Sequence, residues 1–129
     1  MSVRGLLTGL CLGSALIAVP ATAADGPFTQ AQADGGKVVF NNHCAQCHRP
    51  NLKGGLGPAL IGDPFKAKWG GQPVANLRDW IHANMPQNAP GSLPDDQLNP
   101  IVAYILSKNG VTAGQAELTK DTASGEFPK

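Results

Sequence analysis

The run Cys44-Ala45-Gln46-Cys47-His48 constrains the fold of this 129-residue chain more than any other feature. Two cysteines separated by two residues lie on one helical turn, where each can form a thioether with a vinyl group of a porphyrin. The histidine that follows directly can then bind the iron through a ring nitrogen. The motif therefore predicts a haem c attached through Cys44 and Cys47, with His48 as one axial ligand.

The composition suits a chain that folds around a cofactor. Aromatic residues make up 5% of the sequence, beside 16 glycines and 11 prolines, so the polypeptide offers few large side chains for a core. The formal net charge of +1 lacks the excess that nucleic acids or anionic membrane surfaces attract. We therefore expect a small, nearly neutral domain that does not bind nucleic acid.

The first 23 residues are typical of a secretory signal peptide. Arg4 supplies the positive start, residues 6–19 form an apolar run that is short for a membrane span, and residues 21–23 (Ala-Thr-Ala) form a small-residue cleavage site. An uncleaved membrane anchor is the alternative. Cleavage after about Ala23 would remove Cys11 and leave nine basic and nine acidic residues. We therefore expect a periplasmic protein that is not integral to the membrane.

Apolar spacing and capping residues predict three main helices. The first covers residues 30–40 behind a threonine cap, and the second covers residues 73–84, with a proline as its first residue. The last lies within residues 92–109, where a serine cap and an acidic residue three places later favour a helix start. Pro100 falls inside this segment and predicts either a kink or a true start near Asn99.

Glycine and proline mark the loops. Residues 49–60 are dense in both, which predicts a loop that covers one face of the ring. Residues 111–129 hold few apolar side chains and are expected to lie loosely on the surface. Because no strand-like alternation occurs in the sequence, we predict an all-α fold with three to four helices. Its divisions are a signal peptide (1–23), the haem domain (24–109) and a polar tail (110–129).

Met85 is the predicted second axial ligand. It follows an apolar helix, precedes Pro86 and carries a soft thioether, which favours ferrous iron and raises the reduction potential. The alternative is that this methionine only fills the core. Two histidines are rivals: His82 faces away from the apolar stripe of its helix, and His43 is typical of a surface residue. The pattern favours Met85.

A Cys-x-x-Cys pair has other uses. A thioredoxin-like redox pair requires a βαβ setting, and a zinc site requires further ligands at suitable spacing. Neither context is present in the sequence.

The adjacent glycines Gly35 and Gly36 are unusual within a helix, because each disfavours helix formation by roughly 1 kcal/mol. At least one, with Gly36 the candidate, is expected to allow a close contact.

The chain resembles the class I c-type cytochromes over nearly all of residues 24–129. It is similar in particular to small exported monohaem cytochromes such as the electron-accepting subunits of quinoprotein dehydrogenases. The matching motifs are Gly36-x-x-x-Phe40-x-x-x-Cys44-x-x-Cys47-His48, Gly57-Pro58-Ala59-Leu60, Asn84-Met85-Pro86 and Ala103-Tyr104-Ile105-Leu106. The resemblance implies a cytochrome c fold around one covalent haem c, with an electron leaving through a haem edge near Cys44 and Cys47.

The resemblance also implies particular contacts. Gly36 is expected to pack against Tyr104 where the first and last helices cross. The carbonyl of Pro58 is expected to accept a hydrogen bond from the ring of His48. Pro100 departs from the family pattern, which usually has a helix-favouring residue there, so the start of the last helix is open.

An indole is expected near a haem propionate, with Trp69 favoured over Trp80. The family function is electron transfer without catalysis, from a dehydrogenase-type donor to an oxidase or cytochrome acceptor. Two alternatives are a haem c subunit of a larger oxidoreductase, such as a quinoprotein dehydrogenase or a thiosulfate-oxidising complex, and a haem enzyme or sensor with an open axial position.

Cationic side chains are candidates for docking an acidic redox partner around the haem edge. The alternative is an ordinary solvated face. The residues concerned are Arg49, Lys53, Lys66 and Lys68.

Overall fold

The computed structural model describes residues 25–129, so the signal peptide predicted for residues 1–23 lies outside the described residues. The helices are α1 (Gln30–His43), α2 (Ala45–His48), α3 (Asp63–Trp69), α4 (Val74–Asn84) and α5 (Asp95–Lys108). Within residues 25–129 the β-structure amounts to one isolated bridge between Pro73 and Glu126. The all-α prediction is therefore confirmed, with a single-turn helix α2 in addition to the longer ones. None of the helices described is long and apolar enough to cross a bilayer.

Helix α1 begins as predicted. The side chain of Thr29 accepts a hydrogen bond from the backbone N–H of Gln32 at 3.2 Å, which satisfies one of the free N–H groups at the helix start. The helix continues to His43, past the predicted end at residue 40. The backbone N–H of Cys44 then donates to the carbonyl of Phe40 at 2.8 Å. Helix α1 thus leads directly into the haem-attachment motif.

The last two helices start close to their prolines. Pro73 is the N-cap of α4, so the helix starts at Val74, one residue later than predicted. It ends at Asn84 as predicted. Helix α5 starts at Asp95 with Pro94 as its N-cap, because a proline has no N–H to lose at a helix end. The predicted cap at Ser92 is wrong. Of the two alternatives for Pro100, the start near Asn99 is wrong because Pro100 lies within α5, and a kink there stays a prediction.

Helices α1 and α5 cross at Gly36. A Cβ atom at Gly36 would lie 3.0 Å from the Cβ of Tyr104 and 2.5 Å from the carbonyl carbon of Pro100. At Gly35 the same atom would meet nothing within 4 Å. One turn further along α1, the rings of Phe40 and Tyr104 pack with their centroids 5.4 Å apart. The predicted contact of Gly36 with Tyr104 is confirmed, and the backbone at Pro100 approaches still closer.

A buried arginine joins α4 to the start of α5, which the sequence analysis did not anticipate. Arg78 is only 3% exposed, and its Nε donates to Oδ1 of Asn99 at 2.8 Å. Its two terminal nitrogens donate to carboxylate oxygens of Asp79 and Asp95. Because the planar guanidinium offers donors in several directions, one buried charge can serve all three partners. Helix α4, which leads to Met85, is thereby fixed to α5.

The segment after α5 does not lie loosely on the surface, so that expectation is wrong. Leu118, Ala123 and Phe127 are buried and belong to the same apolar cluster as the helices. They are widely spaced in an irregular polar segment, so no helical or strand period marks them. The division of the chain at residue 110 stays a prediction.

Candidate haem-binding site

A cavity of about 800 Å³ opens between the helices and the loops that follow α2 and α4. Its volume falls within the usual range for a small-molecule site. The six residues predicted for the site all line it: Cys44, Cys47, His48, Pro58, Trp69 and Met85. The fold therefore brings together residues from four separate stretches of the chain.

Helix α2 places the two thiols on one turn. The backbone N–H groups of Cys47 and His48 both donate to the carbonyl of Cys44, at 3.2 and 2.9 Å. Both thiols are free; Cys44 is half-buried and Cys47 is exposed. Burial, with a smaller contribution from the charge of Cys47, raises the pKa of the Cys44 thiol to about 11. At neutral pH this thiol is therefore uncharged, as its apolar surroundings require.

The imidazole of His48 is oriented by the loop that follows it. Nδ1 of His48 lies 2.7 Å from the carbonyl oxygen of Pro58, so the predicted hydrogen bond is confirmed. A carbonyl oxygen can only accept, which assigns the ring proton to Nδ1. Nε2 then carries the lone pair that a metal ligand needs. His48 is 7% exposed, so the loop and the protein core hold it in place.

Gly57 is part of this arrangement, although no role was predicted for it. A Cβ atom at Gly57 would lie 2.8 Å from Cε1 and 3.0 Å from Nδ1 of His48. The backbone N–H of Gly57 also donates to the carbonyl of Cys47 at 2.9 Å. The loop thus returns over the motif and lies against the imidazole, where only a glycine fits without displacing the ring.

Met85 lies at the end of α4 as its C-cap. Its backbone N–H donates to the carbonyl of Ile81 at 2.8 Å, and its side chain is half-buried in the wall of the cavity. Neither rival histidine is buried: His82 is exposed and outside the lining, and His43 is exposed at the cavity rim. Met85 is therefore the soft donor that shares the cavity with His48.

An aromatic wall closes the side of the cavity formed by α3 and α4. The ring centroids of Trp69 and Trp80 are 5.8 Å apart, and those of Phe65 and Trp69 are 6.4 Å apart. Trp69 is 5% exposed, whereas Trp80 is 37% exposed. The ammonium of Lys68 lies 4.0 Å from the Trp80 centroid and 4.9 Å from the Trp69 centroid. Both indoles therefore border the cavity and hold a cation between them.

Charge is otherwise scarce around the cavity. Apart from the histidines, Lys68 is the one ionisable cation among its lining residues within the described part of the chain. Arg49, Lys53 and Lys66, the other candidates for a cationic docking ring, do not line it. Most of the remaining wall is apolar, including Phe40, Leu60, Leu77, Ile81, Ile101 and Ile105.

The residues present fit a haem. Two thiols on one turn, an imidazole with a free Nε2, a thioether and apolar walls are the donors and surroundings that a covalently attached haem requires. A chain with this all-α fold and this site is a c-type cytochrome. The family model described as "Cytochrome C oxidase, cbb3-type, subunit III" matches residues 31–105. The chain belongs to this family and is a haem c electron-transfer protein.

A solved structure supports the same class. A chain in the crystal structure of the sulfane dehydrogenase SoxCD from Paracoccus pantotrophus is 26% identical to this chain, with a TM-score of 0.61. The similarity covers 92% of this chain and 69% of that one. A comparison with curated protein sequences gave no match.

Proposed function

We propose that the protein is a periplasmic monohaem electron carrier whose haem c is bound through Cys44 and Cys47 and ligated by His48 and Met85. The observation that carries this proposal is that all four side chains line one cavity, while the bond from Nδ1 of His48 to Pro58 leaves Nε2 available. Ligation by both His48 and Met85 would suit a protein that passes electrons without binding a substrate at the iron.

Each residue has a separate task in this proposal. Haem c supplies an iron that alternates between the ferric and ferrous states. Thioethers at Cys44, the N-cap of α2, and at Cys47 within α2 would fix the cofactor to this turn. The Pro58 carbonyl holds the His48 ring in one orientation and makes Nε2 a stronger donor. Met85 offers a soft sulfur that favours the ferrous state and keeps the reduction potential positive.

The propionates of a haem need compensation, because buried carboxylates without partners are costly. Lys68 is the cation available in the cavity wall, held between Trp69 and Trp80. We assign propionate binding to Lys68 together with Trp69, the more buried of the two indoles. Arg49, Lys53 and Lys66, which do not line the cavity, stay candidates for docking an acidic partner around the haem edge.

Redox partners are proposed to dock near Cys47. This residue is exposed on the cavity rim, which would leave one edge of the cofactor accessible to a donor dehydrogenase and to an oxidase or cytochrome acceptor.

A second candidate role is that of a haem c subunit within a larger oxidoreductase. The likeness to a chain of a sulfane dehydrogenase favours this role. Purification from the native periplasm decides between them: a carrier elutes at its own mass, whereas a subunit elutes with its enzyme.

The axial ligands are tested by the sulfur-to-iron charge-transfer band of the oxidised protein. We expect the band in the wild type and in His82→Ala, since His82 lies outside the cavity lining, and its loss in Met85→Ala. The midpoint potential of Met85→Ala should fall on the order of 0.1 V, a part of the roughly 0.8 V range that axial ligands span. A wild type without the band would contradict ligation by Met85.

Attachment and export have their own tests. The wild type should retain haem after denaturing electrophoresis, and a Cys44→Ser/Cys47→Ser double variant should lose it, because thioethers survive denaturation and axial bonds do not.

Export is tested by N-terminal sequencing of the periplasmic protein, whose first residue should be about Ala24. A protein that keeps residues 1–23, or stays in the membrane fraction, would contradict cleavage of the signal peptide.

A further inference from the structure

The segment formed by residues 110–129 lies beyond the part of the chain that the family model matches, which ends at residue 105. It nevertheless contributes side chains to the core. Phe127 is 1% exposed and Leu118 is fully buried. An irregular segment buries such side chains only when its backbone is fixed by specific partners. Those partners are at its two ends.

At one end, the segment is attached to α1 and to the residues before it. The side-chain amide of Gln32 both donates to the carbonyl of Leu118 and accepts from its N–H, each at 2.8 Å. Nearer α5, the N–H of Gly114 donates to the carbonyl of Phe28 at 2.7 Å. These bonds attach residues 114–118 to the side of the protein formed by the start of α1.

At the other end, the segment is attached to the turn between α3 and α4. The N–H of Phe127 donates to the carbonyl of Gln72, and the N–H of Gly71 donates to the carbonyl of Phe127, both at 2.8 Å. The N–H of Val74 donates to the carbonyl of Gly125 at 3.0 Å. The turn that sets the relation of α3 to α4 is therefore built partly from residues 125–127.

The ring of Phe127 continues from this attachment into the aromatic wall. It meets Phe65 edge-on, with centroids 5.4 Å apart, and Phe65 in turn packs on Trp69. Phe65 and Trp69 line the cavity, whereas Phe127 does not. Phe127 thus forms a second layer directly behind the wall.

We propose that Phe127 is a positioning residue for the haem: it holds Phe65 and Trp69 against the cofactor and so keeps water from that side of the site. This inference rests on the proposed function. A wall without water disfavours the extra positive charge of ferric iron and raises the reduction potential. Removal of the Phe127 ring would leave space behind Phe65, into which the wall can relax.

The test compares midpoint potentials of holoprotein variants. Phe127→Ala should lower the potential relative to the wild type, and Phe127→Leu, which refills part of the space, should lower it less. Leu118→Ala is the matched control, because Leu118 is equally buried in the same segment but does not line the cavity or contact the attachment at Gln72. It should reduce the thermal unfolding temperature and leave the potential unchanged.

An equal fall of the potential in Phe127→Ala and Leu118→Ala would overturn the proposal in favour of general loosening, and so would no fall in either. If Phe127→Ala does not yield folded holoprotein, the comparison of Phe127→Leu with Leu118→Ala decides in the same way. Failure of the axial assignment is distinguishable, because it appears in the wild type as a missing charge-transfer band. This inference can fail while that band is present.

Discussion

The carbonyl oxygen of Pro100 occupies the position that a Cβ atom on Gly36 would take. Helices α1 and α5 approach each other so closely because one residue has no side chain at their crossing. The carbonyl belongs to the residue that departs from the family pattern. This proline lies inside α5, with its backbone against Gly36 of α1. Gly35 is adjacent in the same helix and has no such contact, so a substitution at Gly35 is a control for one at Gly36.

Gly36→Ala should lower the free energy of unfolding of the holoprotein by about 1–3 kcal/mol or more, since the added methyl group overlaps backbone atoms that cannot rotate away. Gly35→Ala is the control. It adds the same methyl group where nothing lies within 4 Å, and should raise stability by roughly 0.5–1 kcal/mol through helix propensity. Urea unfolding measures both, and equal effects of the two substitutions would contradict the close contact.

Gly57→Ala should disturb the proximal ligand. The new Cβ would lie within 3.0 Å of two atoms of the His48 ring, and the ring is held by its bond to Pro58. We expect a loss of about 1–3 kcal/mol in stability and a shift in the visible spectrum of the oxidised haem. Gly35→Ala again serves as the control and should leave the spectrum as in the wild type. An unchanged spectrum in Gly57→Ala would show that the ring adapts.

Arg78→Met should destabilise the protein by about 1–3 kcal/mol, because it leaves the buried Oδ1 of Asn99 without its donor. Asp79→Asn removes a charge partner whose side chain is 70% exposed, and should change stability by less than roughly 0.5 kcal/mol. Thermal unfolding at low and high salt measures both. A large effect in Asp79→Asn that salt abolishes would assign the stabilisation to the exposed ion pair.

Lys68→Gln should lower the midpoint potential. Loss of a cation beside the cofactor destabilises the ferrous state, and screening by solvent limits this to roughly 1 kcal/mol or less, which corresponds to tens of millivolts. Lys66→Gln is the control, since Lys66 lies on the same helix but outside the cavity lining. Equal shifts in both variants would indicate a general charge effect and remove Lys68 from the propionate site.

Much of the site could be predicted from the sequence, because the residues that bind the cofactor occur in short, recognisable motifs. The Cys-x-x-Cys-His run specifies its own helical turn, and a lone methionine after an apolar helix was a candidate ligand by residue type alone. The structure places both at one cavity. Local signals also predicted the start of α1, because a capping side chain acts within three residues of itself. They predicted the end of α4 as well, because a helix usually ends at or before the residue that precedes a proline.

Other features were missed for physical reasons. Arg78 was not singled out from the sequence, because its burial depends on partners that α5 brings to it. Gly57 belonged to a predicted loop and to a family motif, but no contact was predicted for it, because nothing local shows that the loop returns over His48. The start of α5 was misplaced, since a serine and a proline two residues apart both suit a helix N-terminus and the choice depends on packing.

The sequence by itself determined which atoms are available to bind a haem and where most helices lie, because both depend on residue type and on contacts within a few positions. Only the tertiary structure decided that the backbone of Pro100 meets Gly36, and that Phe127 packs behind Phe65. Such contacts join residues far apart in the chain. They are selected by the packing of the whole domain, in which each buried side chain fills space that several other elements leave.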